Sequence, residues 1–343
     1  MTLGGGMCWG LSGSMGQFLF QHEGMDSRWL VPIRLFLAGV ILFIFCFVKH
    51  RKPLFQIWTK RRDALLLLAY GLAGVSACQF TYFLTIQLSS AGVGTILQDL
   101  SPVMILVCAC IAGRRAPKPY EIICIALALA GVTLIVTHGD FGSLAVSEGA
   151  LISGVISAVC VTVYNMLTAP LTYRYPVVVL QAWSFLMGGA GLALIFRPWQ
   201  FGYVPGPMGL VGIAFVVVVG NVLAFTLYIT GVSLIGPSRG ILYGFAEPVT
   251  AAVIGTALLG SPFTIWDAVG FLAVFLMLTL ISVNGRKPST QTSPGTGRSC
   301  PAGSRRTEAS RAHCRSSRGT AHCRRRRRSE SPWPPAAPPR TSS

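Results

Sequence analysis

The sequence predicts an all-α polytopic membrane protein with ten transmembrane helices, arranged as two inverted five-helix repeats and followed by a disordered C-terminal tail. Three observations predict this class. Hydrophobic residues make up 52% of the chain and charged residues only 11%, whereas charged residues make up about a quarter of an ordinary soluble domain. Apolar runs of roughly 20 residues, the length of a membrane-spanning helix, recur along the chain. The sequence also repeats itself at a fixed separation.

Ten apolar runs are long enough to be interpreted as membrane-spanning helices. Backbone groups in lipid must satisfy their own hydrogen bonds, which favours a helix in each run. The first run has no basic residue ahead of it, and further spans follow it, so a cleaved signal peptide is not expected. In chain order the predicted spans are 3–20, 30–48, 64–86, 91–112, 120–137, 149–168, 177–196, 208–230, 238–259 and 265–283.

Basic residues concentrate in alternate loops, and this bias predicts the orientation in the membrane. The loop after the second span carries six Lys and Arg residues, the loop after the fourth carries three, and the loop after the sixth carries Arg174. The intervening loops hold only Arg28 and Arg197. We therefore expect a multi-pass protein of the cell membrane with both termini in the cytoplasm, which requires an even number of spans.

The formal net charge of +17 belongs mostly to the C-terminal tail, since 12 of the 28 Lys and Arg residues lie between Arg298 and Arg340. Because the rest of the chain is only mildly basic, the charge does not predict a nucleic-acid partner. Residues 286–343 are rich in Arg, Ser, Pro and Gly and poor in aliphatic residues, which predicts disorder. Two Ala-His-Cys triplets there match no familiar zinc spacing, so neither a metal nor a cofactor is expected.

An internal repeat appears at a separation of 146 residues. The pairs that chance explains least are Gly94 with Gly240, Pro102 with Pro248, and Glu121 with Asp267. Because each copy holds five helices, an odd number, the second copy must enter the membrane from the opposite side. Inverted repeats of this kind are common among secondary transporters. We predict repeat units at residues 1–143 and 144–285.

Several residues carry a resemblance to a known family. They are Trp9-Gly10 with Ser12, Arg34, and the two repeat endings Leu100-Ser101-Pro102-Val103 with Gly113 and Ala246-Glu247-Pro248-Val249 with Gly260. With these features residues 1–285 resemble the EamA-type members of the drug/metabolite transporter superfamily, which have ten helices in two repeats. The resemblance implies transport of amino acids, other metabolites or drugs. In the first repeat Ser101 stands where the second has Glu247, although Asp99 places a carboxyl two residues earlier.

Glu247 is the strongest candidate for a substrate or proton site, because an ionisable residue inside a span is costly to insert. We expect it near the middle of the ninth span, directly before Pro248. Proline lacks an N–H, so the carbonyl of Gly244 would lose its helical partner. A protonated Glu247 could donate a hydrogen bond there and carry a proton. A neutral glutamate that only stabilises a kink is the alternative. Tyr243 lies four residues earlier and is expected on the same side of the helix.

Asp99 is the second carboxyl inside a predicted span. Thr95 lies one turn earlier on the same face and Gln98 is adjacent, so these residues are predicted to line a polar cavity. For Asp99 the alternative is a structural hydrogen bond to a neighbouring helix.

Three further residues complete the candidate set. Arg34 is expected near the outer end of the second span, where it could pair with Asp26 or Glu23 or attract a carboxylate substrate. Trp9 and Asn221 could face a central cavity, with helix packing or an interhelical hydrogen bond as the alternative.

These features together predict a secondary transporter for a small metabolite, with proton coupling as a hypothesis. Its expected partners are a small-molecule solute and the lipid bilayer, and a homodimer is compatible with the sequence. An intramembrane enzyme and a membrane sensor or scaffold are the alternatives. All five histidines fall in predicted loops or in the tail, leaving no buried histidine for general-base chemistry. No phosphate-binding loop of the Gly-x-x-x-x-Gly-Lys-[Ser/Thr] type occurs either, so we expect no enzymatic activity.

Overall fold

The structure, a computed structural model, describes residues 1–138, 140, 145–235 and 243–284, apart from the side chains of Ala169 and Ser233. Within these ranges the chain forms helices, turns and loops, and no strand. The predicted tail at 286–343 lies outside the described residues, as do residues 238–242 of the predicted ninth span.

Ten helices within the described ranges lie at the positions of the predicted spans, and a short helix, Arg51–Gln56, connects the second to the third. Their bounds are α1 Thr2–His22, α2 Ser27–Lys49, α3 Arg61–Leu88, α4 Ala91–Ala112, α5 Pro119–Thr137, α6 Glu148–Thr172, α7 Val177–Phe196, α8 in the consecutive segments Pro207–Phe215, Val216–Leu223 and Ala224–Ile235, α9 Ala246–Leu259 and α10 Ile265–Asn284.

Eight of these helices, α2 to α8 and α10, are long and apolar enough to cross a membrane in the part of the chain that the structure describes. The described α9 is too short, at 14 residues. Glycines, serines and glutamines lower the hydropathy of α1, which keeps it outside the set. The protein is therefore a multi-pass membrane protein, whereas the count of ten spans and their inverted arrangement remain predictions.

The glycine-rich helix α1 occupies the middle of the bundle, where it packs against α3, α4, α8 and α9. A Cβ atom at Gly10 would lie 2.5 Å from the carbonyl oxygen of Glu247, and one at Gly5 would lie 2.8 Å from the backbone nitrogen of Tyr228. Only glycine permits so close an approach of helix backbones. Because protein surrounds α1 on these sides, it does not need a strongly apolar surface.

The main helix pairs join the two halves of the chain. Helix α2 packs along α7, α5 along α10, α3 along α6, and α1 along α8 and α9. The described residues between 1 and 284 accordingly form one compact unit. The predicted repeats at 1–143 and 144–285 would therefore share one core, and the division between them remains a prediction.

Two helices change their winding in the middle. Residues Ala69–Ser76 in α3 and Val216–Leu223 in α8 are π-helical, in place of the regular helix expected for a membrane span. Such segments are rare and frequently lie at functional sites. Helix α4 is also interrupted, between a first segment, Ala91–Gln98, and a second, Ser101–Ala112.

Candidate functional site

A polar cluster surrounds the Ala77–Leu88 segment of α3 inside the bundle. Residues four apart on a helix share a face, so Cys78 with Tyr82, and Gln79 with Phe83, present two adjacent rows of side chains. These rows contact side chains from α2, α4, α6 and α9. We call the set the central cluster, and its members are Arg34, Cys78, Gln79, Tyr82, Phe83, Gln98, Asp99, Ser157 and Glu247.

Glu247 reaches the central cluster from the first turn of α9 and is half-buried. Its Oε1 atom accepts a hydrogen bond from the Tyr82 hydroxyl at 3.4 Å. The predicted helix is not continuous through Glu247, because the described helix begins at Ala246, after a turn at Phe245. N–H groups of a first turn have no partner within the helix. Pro248 therefore removes no hydrogen bond within the described helix, and the helical path is interrupted one turn earlier, at Phe245.

Asp99 lies where α4 is interrupted, as the C-cap of the first segment. Pro102, in the first turn of the second segment, has no N–H to donate to the carbonyl of Gln98, which agrees with the interruption of the helix. The Oδ2 atom of Asp99 is buried and has no hydrogen-bond partner among the described residues. Asp99 and Glu247 lie close enough for their charges to interact.

Gln98 and Thr95 differ in their hydrogen bonds: Gln98 bonds to other helices, and Thr95 bonds within its own helix. The amide of Gln98 donates to Ser157 Oγ and to Cys78 Sγ, both at 3.0 Å, and so connects α4 to α6 and α3. The Thr95 hydroxyl donates to the carbonyls of Ala91 and Gly92, at 3.1 and 2.9 Å. Its hydrogen-bonding capacity is thus used within its own helix, and the structure does not bring it together with Asp99 in a hydrogen bond.

Arg34 is almost fully buried, with 2% of its surface exposed. Its guanidinium stacks on the ring of Phe83 at 3.7 Å from the centroid, and Nη2 donates to Gln79 Oε1. Its Nε atom has no partner in the part of the chain that the structure describes. An aromatic face and an amide oxygen here replace the water that a cation would otherwise require.

A sequence model of the EamA-like transporter family matches residues 1–137 and 149–283. The chain belongs to this family. It is 34% identical over 279 residues to YicL of Salmonella typhimurium, described as an uncharacterized inner membrane transporter, covering 81% of this chain and 93% of YicL. It is 24% identical to YyaM of Bacillus subtilis, an uncharacterized transporter, over 72% of this chain and 81% of YyaM.

A solved crystal structure has a similar fold, with a TM-score of 0.53 and 17% identity, covering 81% of this chain and 97% of that one. At this identity the likeness concerns the fold alone. The residues that match the EamA-like family model include all the helices that surround the central cluster.

The predicted pairing of Arg34 with Asp26 or Glu23 is wrong for this EamA-like chain. Asp26 caps α2 by accepting the backbone N–H of Arg28, and it forms an ion pair with that side chain at 3.0 Å. Partial burial acts to raise the pKa of the Asp26 carboxyl, but the hydrogen bonds and charge of Arg28 outweigh it and hold that pKa below its ordinary value. The backbone carbonyl of Glu23 accepts from Tyr203 at 3.1 Å.

The remaining predicted residues lie around the central cluster without joining it. Trp9 is half-buried and packs edge to face on Phe225, with centroids 5.7 Å apart, and against Tyr228 at 4.9 Å. Asn221 is buried in the π-helical segment of α8, and its Nδ2 atom has no partner among the described residues. Tyr243 is 46% exposed, and the turn at Phe245 separates it from Glu247. The predicted helical row through Tyr243 and Glu247 is therefore not continuous.

Sequence reasoning missed Tyr82 as the partner of Glu247. Two signals were available, its pairing with Tyr228 in the repeat and its four-residue spacing from Cys78 inside an apolar span. Neither signal names a partner 165 residues away. Among the described residues no three His, Cys, Asp or Glu side chains are grouped so that they could hold a metal ion.

Proposed function

We propose that this EamA-like protein is a secondary transporter that moves a small metabolite, such as an amino acid, a related compound or a drug, across the cell membrane. Its membership of a transporter family supports this proposal. One observation carries it further. The carboxyl groups of Asp99 and Glu247 lie at a helix interruption and at a helix start, and one oxygen of Asp99 is buried with no hydrogen-bond partner among the described residues.

An unpartnered buried carboxyl oxygen is costly, by about 1–3 kcal/mol. It is retained most readily where a bound solute or proton satisfies it during the working cycle. Discontinuous helices at such positions are also typical of transporter binding sites. With the Tyr82 ring beside Glu247, the site favours a solute that carries an amine or another hydrogen-bond donor.

The same carboxyl oxygens would couple transport to protons. A proton and a solute amine would compete for the oxygens of Asp99 and Glu247. Competition for one site is the minimum requirement for exchange, because loading of one ligand then releases the other.

Movement of the solute requires the bundle to open at each end in turn. At one end Gln17 of α1 donates to Ser261 Oγ, between α9 and α10, at 2.7 Å. At the other end Asp63 accepts hydrogen bonds from Arg174 and Tyr175, both at 3.0 Å. In the proposed cycle these two polar contacts break alternately while the carboxyl site stays in the middle.

The test is flux into proteoliposomes under an imposed pH gradient, with amino acids, sugars and cationic drugs as solutes. We expect Glu247→Gln and Asp99→Asn to lower the flux of the transported solute about ten- to a hundredfold, the equivalent of one charged hydrogen bond. They should also flatten its pH dependence. Glu148→Gln, an exposed carboxyl at the start of α6, is the matched control and should transport normally.

Wild-type flux in both carboxyl variants, with unchanged pH dependence, would show that these residues do not carry the solute or the proton. Folded wild-type protein that moves none of the three solute classes would contradict the transport proposal.

A further inference from the structure

A groove of about 380 Å³ lies between the second segment of α4 and the start of α5, beside the basic turn that joins them. It is separate from the central cluster. The basic residues of this surface otherwise serve as an orientation signal.

The groove exists because α4 and α5 pack on different neighbours. Helix α4 lies against α6, where the Thr162 hydroxyl donates to the carbonyl of Ser101 at 3.4 Å. Helix α5 lies against α10, where a Cβ atom at Gly131 would be 2.8 Å from the carbonyl of Gly270. The groove lies between the two helices, and no described side chain fills it.

The walls of the groove are apolar and belong to predicted membrane spans. Val107 and Ile111 from α4 are 37% and 71% exposed, and Ile125 comes from α5. In a membrane-spanning helix, an exposed aliphatic side chain faces lipid. The medium available to fill this groove is therefore an acyl chain.

The mouth of the groove carries one positive charge that the described residues do not balance. Arg115 donates twice to the Glu121 carboxylate, at 2.7 and 2.9 Å, which neutralises it. Arg114 is exposed, adopts a left-handed backbone conformation with φ of 46°, and forms no ion pair in the described part of the chain. The paired Arg115 holds the turn in place, and Arg114 remains available for an anion.

We propose that this groove binds an anionic phospholipid, with an acyl chain along Val107, Ile111 and Ile125 and the phosphate on Arg114. Basic pockets between membrane helices recognise such headgroups. A second copy of this chain fits less well, because a two-fold contact on this face would bring two unbalanced Arg114 side chains together. The inference does not depend on which solute is transported.

Native mass spectrometry of the full chain, released from micelles with equal phosphatidylglycerol and phosphatidylcholine, tests the proposal. We expect the wild type to retain phosphatidylglycerol preferentially. Arg114→Gln should weaken that retention about fivefold, the effect of roughly one basic contact at a membrane surface. Val107→Phe, which fills the groove, should lower it with Arg114 intact. Arg62→Gln removes an exposed charge from another basic loop and is expected to bind like the wild type.

Equal retention of the two lipids would overturn the proposal, as would an equal loss in Arg62→Gln and Arg114→Gln, since charge alone would then explain binding. Displacement of the lipid by millimolar glycerol phosphate would show a phosphate site without an acyl-chain site. A dimer mass that disappears in Val107→Phe would assign the groove to a second copy instead.

Discussion

Two carboxylates of this protein, Glu121 and Asp99, differ in how fully their oxygens are hydrogen-bonded. Glu121 accepts two hydrogen bonds from Arg115 and one from the backbone N–H of Lys118, which caps α5. Asp99 leaves one buried oxygen unpartnered among the described residues. Fully bonded carboxylates stabilise a fold, whereas an unsatisfied buried oxygen costs free energy. Glu121 thus has a structural role, and Asp99 is retained at a cost that the proposed function explains.

The same substitution at these two positions should lower stability only at Glu121. Glu121→Leu removes the helix cap and is expected to lower the free energy of unfolding by about 1–2 kcal/mol. Asp99→Leu removes an unsatisfied oxygen and should leave that free energy unchanged or raise it, while abolishing transport. Thermal unfolding in detergent, beside flux in proteoliposomes, measures both. Greater destabilisation by Asp99→Leu than by Glu121→Leu would mean that Asp99 has a structural partner.

At the scale of elements, irregular features recur at equivalent positions of the two halves. The π-helical segments begin at Ala69 and Val216, 147 residues apart. The interruption of α4 at Asp99 and the turn before α9 at Phe245 are 146 residues apart. These correspondences support the predicted repeat. Helix α4 at Asp99 and the start of α9 beside Glu247 also depart from regular helix, at the positions where the proposed transporter would need to change shape.

Helices α1 and α9 cross closely, and a substitution at the crossing tests how tightly the two helices pack. Gly10→Ala would place a methyl group against the Glu247 carbonyl, at 2.5 Å, and against Thr250 at 2.8 Å. Overpacking of this kind costs about 1–3 kcal/mol, and the shift of α9 should also reduce flux. In Gly4→Ala the nearest atom is 3.8 Å away, on Leu227, so this control should behave like the wild type. Equal stability of the two variants would mean that the helices do not meet as closely as described.

For the whole molecule, the main contacts of α1 correspond to contacts of α6 in which the two halves of the chain have changed places. The packing of α1 on α8 corresponds to that of α6 on α3, and α1 on α9 corresponds to α6 on α4. Each relation is obtained by adding or subtracting five helices, which is the correspondence that a repeat of five helices predicts. Because the two halves share one core, a rocking motion would rearrange contacts across the whole bundle.

The orientation of the whole chain is testable with epitope tags at the two termini and protease protection in sealed inside-out vesicles. We expect both tags on the side of the basic loops at 49–62 and 114–118, because those residues are retained in the cytoplasm. A tag within the loop at 198–206 should be on the opposite side and serves as the control. Termini on opposite sides would require an odd number of spans and remove the basis for two inverted five-helix units.

The membrane class, the helix positions and the two carboxyl candidates were predictable from the sequence alone. Span length and the cost of burying charge are properties of a residue and its near neighbours along the chain, so local sequence carries them. Only the tertiary structure decided that Arg34 points inward to Gln79 and Phe83, and that Glu247 meets Tyr82. Such contacts depend on the rotation and spacing of helices far apart in the chain, which close packing determines and local sequence does not encode.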